Sequence, residues 1–143
     1  MLVAALMGGA TPSMAVEGLW QGQYICRQGI TGVTLKIVSE LGGAGWSARF
    51  CFCAIAENPN LPTGEFELDG PSVPGETVVR LSPRRWIHEP QGWLMIPLAL
   101  SQSADGRRLS GMIDAPGCGA IQLEKVIDGS AAPRCACHPV PTS

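Results

Sequence analysis

Lysine is almost missing from this chain: Lys36 and Lys125 are the only two in 143 residues. Charged residues make up 15% and the formal net charge is −2, so the basic footprint of a nucleic-acid binder is absent. The remaining cations are arginines without an extended cluster, which reads as ordinary solvated surface. No apolar run is long enough to span a bilayer. No segment sustains a helical period flanked by caps, which argues against a helical fold. Histidine occurs only at His88 and His138. There is no Gly-x-Ser-x-Gly elbow, no His-Glu-x-x-His and no phosphate-cradling glycine loop. An enzyme is therefore not expected, nor a cofactor. His88 beside Glu89 is the one conceivable acid–base pair, and His88 reads more simply as an exposed loop residue. Glu65 and Glu67 share a strand face, unlike opposed glycosidase carboxylates, and read as solvated.

What is present is a folding composition, 45% hydrophobic, in a length suited to one domain with one modest core. Residues 2–10 are apolar, and Ser13-Met14-Ala15 supplies the small residues that signal peptidase needs. No Lys or Arg precedes Arg27, so either the true start lies upstream, which is favoured, or the segment is a poor signal. The expected division is a signal peptide over 1–15, a β-barrel over 16–128 and a cysteine-containing tail over 129–143. A periplasmic or secreted location follows, where an even cysteine count means disulfides.

Along the body the dominant period is two. Trp46, Ala48, Phe50, Phe52 and Ala54 share one face, and Ser47, Arg49, Cys51 and Cys53 share the other. Val33-x-Leu35-x-Ile37, Phe66-x-Leu68, Leu94-x-Ile96-x-Leu98-x-Leu100, Leu109-x-Gly111-x-Ile113 and Ile121-x-Leu123 repeat the rule. Such alternation marks half-buried antiparallel strands. Gly42-Gly43-Ala44-Gly45 joins two of them, Asp105-Gly106 reads as a tight hairpin, and proline–glycine breaks separate the rest. The expectation is an all-β fold, a meander of roughly eight strands closed into a small barrel and stapled by disulfides. A β-sandwich is the alternative. Closure is favoured because it removes exposed strand edges.

The six cysteines constrain that barrel. Cys51 and Cys53, on one strand face, stand roughly 7 Å apart and cannot bond each other. The tail offers a matching pair, Cys135 and Cys137, to be clipped to the outer wall. Antiparallel docking, Cys51 to Cys137 and Cys53 to Cys135, is favoured over the parallel choice. Cys26 and Cys118, near the first and last strands, are then each other's partners. The competing reading is a thiolate-rich zinc or Cu(I) site from Cys51, Cys53, Cys135, Cys137 and His138. Its spacing lacks the Cys-x2-Cys knuckle and export argues against free thiols, so the expected metal set is none.

Among the aromatics, Trp20, Tyr24 and Trp46 fall on the core-facing parity. Trp86 and Trp93 flank the turn at Pro90, with Arg84, Arg85, His88 and Gln91 nearby. These two rings read first as a lid plugging the barrel end. Together with the four polar residues, in a barrel-mouth loop, they are also the candidate ligand platform, for a protein or a cell-envelope glycan. The leading functional expectation is a non-catalytic exported binding or inhibitor module. A periplasmic metal-binding protein is the alternative.

The opening Leu19-Trp20-x-Gly22-x-Tyr24-x-Cys26-x-Gln28-Gly29-x-Thr31-Gly32-x-x-Leu35-x-Ile37 resembles a module of exported bacterial proteins without an assigned function. That module is sometimes attached to caspase-like peptidases. Asn58-Pro59, Pro62-x-Gly64, Trp86-Ile87, Pro90-x-Gly92, Leu109-x-Gly111 and Pro116-Gly117-Cys118-Gly119 extend the resemblance, which brings no activity with it. Here no peptidase portion is present, and Cys51, Cys53 and the Cys-Ala-Cys-His tail depart from the pattern. Tyr24, Cys26 and Gly29 are also similar to the first strand of the periplasmic inhibitors of c-type lysozyme, which are small β-barrels.

Overall fold

The alternating runs become eight antiparallel strands: β1 (Gly18–Cys26), β2 (Gly29–Ser39), β3 (Gly45–Cys53), β4 (Gly64–Pro71), β5 (Val78–His88), β6 (Leu98–Gln102), β7 (Arg108–Met112) and β8 (Ala120–Lys125). The computed structural model describes residues 16–127 and 134–137. The expected signal segment, His138 and most of the expected tail lie outside the described residues. Each strand pairs with the next, and β1 also pairs with β8, from Trp20↔Lys125 to Tyr24↔Ile121, so the sheet is a closed barrel. Gly22 makes that seam possible. It stands at an inward position between Trp20 and Tyr24, and a Cβ there would collide with the Gln122 carbonyl. Closure removes the unpaired edges of an open sheet.

The inward faces meet in one core. Trp20, Leu35, Ile37, Phe50, Phe52, Phe66, Leu68, Leu81, Leu100, Leu109, Ile121 and Leu123 are fully buried. Each contributes about 1.5–3 kcal/mol relative to exposure. A small barrel of this strand number is filled by its own side chains. One end is stopped by Val16 and Trp46, both buried, with Trp20 Nε1 donating to the Val16 carbonyl at 2.9 Å.

The three disulfides are those the strand geometry selects. Cys26 bonds Cys118, Cys51 bonds Cys137 and Cys53 bonds Cys135. The first extends the β1–β8 seam, beside the Gly119 N–H that donates to the Ile25 carbonyl at 2.8 Å. The other two dock the tail antiparallel on the outer wall of β3. Hydrogen bonds hold it too: the Cys135 N–H donates to Thr34 Oγ1 at 2.9 Å and the Arg134 N–H to Gln21 Oε1 at 3.2 Å. Thr34 and Cys51 face outward by parity, yet both are fully buried where the tail docks.

Four expectations are corrected. Arg84, Arg85, Trp86 and His88 lie on strand β5, not in a mouth loop. The register runs Leu68↔Pro83, Glu67↔Arg85, Phe66↔Trp86 and Glu65↔His88, so Arg84 and Ile87 are extra residues at two irregularities. Each insertion shifts the parity, which hides the strand's period of two. Leu94 does not continue the alternation of Ile96, Leu98 and Leu100: β6 begins only at Leu98, and Leu94 is 82% exposed. The Asp105-Gly106 connection is a five-residue loop, 103–107, in which Asp105 Oδ1 accepts from the Ser103 hydroxyl and the Arg107 N–H. Glu65, read as solvated, is 4% exposed and is paired with the equally buried Arg49.

Candidate functional site

Pairing between β5 and β6 stops at Leu81↔Leu98. Beyond it, residues 82–88 of β5 have β4 as their hydrogen-bonded neighbour, a setting in which Pro83 is tolerated. The barrel wall therefore parts at this end, and aromatic rings fill the gap. Trp86 points inward opposite Phe66, with ring centroids 5.4 Å apart edge to face. Trp93, from the β5–β6 connection, stacks on Phe52 at 4.6 Å. Phe50 continues the series, stacked on Phe66 at 4.7 Å and edge-on to Tyr24 at 5.1 Å. Contacts of this kind add about 0.5–1.5 kcal/mol beyond area burial.

Outside Trp93 the mouth opens into a cleft of about 450 Å³. The β1–β2 turn supplies Arg27 and Gln28, the β5–β6 connection supplies Trp93, Leu94, Met95 and Ile96, and the β7–β8 connection supplies Ala115 and Pro116. The Cys26–Cys118 disulfide ties the first and third of these together and forms part of the floor. Tyr24 lies deeper. Burial pushes its phenol well above the ordinary value, against the opposing pull of hydrogen bonds with Thr31 and Gln28, so the hydroxyl stays neutral. Leu94, and Ile25 at 42% exposure, place large apolar groups in solvent at this end of the barrel.

The six residues expected to form a platform do not converge. Arg84 Nε lies 3.4 Å from Asp69, and Arg85 Nε donates to Glu67 at 2.7 Å, both on the exposed outer wall. The Glu67 hydrogen bond and charge raise the Arg85 guanidinium further above its ordinary value. His88 is exposed opposite Glu65, and Gln91 is exposed in the β5–β6 connection. Trp86 is packed on Phe52 and Phe66. Trp93 alone of the six lines the cleft. The sequence did carry a pointer to the others. Bonding Cys26 to Cys118 brings the neighbouring Arg27 and Pro116 to one place.

The outer wall holds a second cluster. Arg49 Nη1 lies 3.2 Å from Glu65 and Nη2 lies 3.5 Å from Glu67, while Arg49 Nε has no hydrogen-bond partner among the described residues. All four sulfurs of the supposed metal set are joined in disulfides, so none is a thiolate here. Among the described residues no group of three or more His, Cys, Asp or Glu side chains is placed to hold a metal ion.

Comparison with protein-family models, with curated proteins and with solved structures found no match. A cleft with aromatic and aliphatic walls and, among the described residues, no carboxylate and one cation at its rim can hold and orient an apolar group.

Proposed function

We propose that this protein is a non-catalytic exported binding or inhibitor module that receives its ligand at the open barrel mouth. The observation that carries the reading is the apolar cleft beside Trp93, rimmed by the exposed Leu94. Large apolar groups held in water at the edge of a concave site mark a contact surface. Three disulfides suit an oxidising compartment outside the cytosol. Arg84 and Arg85 already have their charge answered by Asp69 and Glu67, which favours the cleft over the outer wall for ligand contact. Of the two ligand classes the sequence suggests, the lining disfavours the glycan. A sugar needs many hydrogen-bond partners, and this surface offers few.

The test is capture from envelope extract by the immobilised oxidised protein, with Leu94→Arg and the Arg84→Ala/Arg85→Ala double variant beside it. A partner retained by the wild type and the double variant, and lost with Leu94→Arg, supports the mouth. A partner lost only with the double variant overturns it in favour of the outer wall.

A further inference from the structure

Among the described residues Arg27 is the one charged side chain lining the mouth cleft, and no carboxylate lines it. The other polar groups there are answered from within. Gln28 Nε2 donates to Thr31 Oγ1 at 2.8 Å, and the Tyr24 phenol hydrogen-bonds with Thr31 and Gln28. Arg27 has no ion-pair or hydrogen-bond partner among the described residues. Its stem is nonetheless placed. It lies across Gly117 in the β7–β8 turn, where φ is +80° and a Cβ would run into the Arg27 side chain. A cation is thus held at the rim of an apolar cleft with nothing among the described residues to neutralise it.

We infer that this cleft binds a small anionic amphiphile, an apolar chain or ring system bearing a single carboxylate. The apolar part lies against Trp93, Met95 and Ile96, and the carboxylate meets the Arg27 guanidinium. A volume of about 450 Å³ is of small-molecule size, and an apolar wall with one oriented polar anchor is the usual composition of such sites. Arginine presents a planar fork that matches a carboxylate, and a hydrogen bond between ionised groups is stronger than a neutral one. The inference rests on the mouth being the binding site and names the chemistry that site accepts. A protein segment with the same apolar and acidic character is the competing source.

Isothermal titration of the full oxidised chain with sodium dodecanoate, dodecyltrimethylammonium and dodecyl maltoside, all below micelle formation, tests it. Saturable one-to-one binding of dodecanoate is expected, about tenfold or more tighter than the cationic analogue. Arg27→Gln should remove most of that preference while leaving dodecyl maltoside binding unchanged, and Leu94→Asp should weaken all three. Both side chains are exposed, and unchanged circular dichroism establishes that the variants fold. Equal affinity for the anionic and cationic probes, or an Arg27→Gln variant with unaltered dodecanoate binding, overturns the inference. Absence of dodecanoate binding, with an envelope protein still captured through Leu94, also overturns it but leaves the mouth as a protein-binding site. Absence of both removes the two readings together.

Discussion

Tyr24 is the only tyrosine in the chain, so its ionisation can be followed without overlap. Burial raises its phenol in the folded state, while the unfolded chain titrates near pH 10. A raised acid stabilises the fold fully below the unfolded value and loses that contribution as pH rises toward the folded one. Urea midpoints should therefore fall above about pH 10, and phenolate absorbance should appear together with unfolding rather than before it. Tyr24→Phe should flatten this alkaline loss, at the cost of about 1 kcal/mol at neutral pH for the hydrogen bonds to Thr31 and Gln28. Arg49 and Glu65 make the complementary case. Removing Glu65 leaves the buried Arg49 with only the longer contact to Glu67, so Glu65→Leu should cost about 3 kcal/mol in urea unfolding. The Arg49→Met/Glu65→Leu double variant should cost less than Glu65→Leu alone. A double variant as unstable as the sum of the two singles would show that the pair is not coupled.

At the scale of the element, β5 separates what was legible in the sequence from what was not. Strands β2, β3, β4, β7 and β8 show unbroken alternation because the barrel gives each an inner and an outer face. In β5 the extra residues Arg84 and Ile87 and the proline at 83 scramble that alternation, so the segment reads as a loop and its arginines as a mouth platform. Beyond the Cys26–Cys118 pointer to Arg27 and Pro116, the cleft was hidden for a related reason. Its walls come from three connections that meet only through closure of the barrel, and Leu94 carries the right residue type for a strand it does not join. Positions on β5 now differ in expected cost. Trp86→Ala removes a ring packed between Phe52 and Phe66 and should cost about 3 kcal/mol. Arg84→Ala and Arg85→Ala, breaking exposed pairs, should each leave the melting temperature close to that of the wild type. Thermal melts of the three variants check the contrast. A large loss from Arg85→Ala would mean that the Arg49–Glu67–Arg85 row acts as one unit.

At the scale of the molecule, the cysteines divide the labour between closing the barrel and strapping its wall. The parity that makes Phe50 and Phe52 core residues also puts Cys51 and Cys53 on the outside, which is why the connectivity follows from the strand pattern and the cysteine spacing. The Cys26–Cys118 bond closes a span of 92 residues across the β1–β8 seam, and loops of that length give the largest entropic gain from cross-linking. The strap bonds span 86 and 82 residues but join a tail whose described part contributes no strand. Every strand and every inward side chain of the core, among the described residues, precedes residue 126. Two consequences can be measured on the same preparation. Cys26→Ser/Cys118→Ser should lower stability by about 2–5 kcal/mol, since the seam then relies on hydrogen bonds and packing alone. Truncation after Gly129 should leave a folded barrel with unchanged far-ultraviolet dichroism, in which Cys51 and Cys53 are free thiols titratable by a maleimide. Its stability should fall as well, because Thr34 and Cys51 lose the cover that buries them. A truncated chain that fails to fold, while the seam double variant folds normally, would reverse the assignment. The strap would then be the structural closure of the molecule and the seam disulfide the accessory.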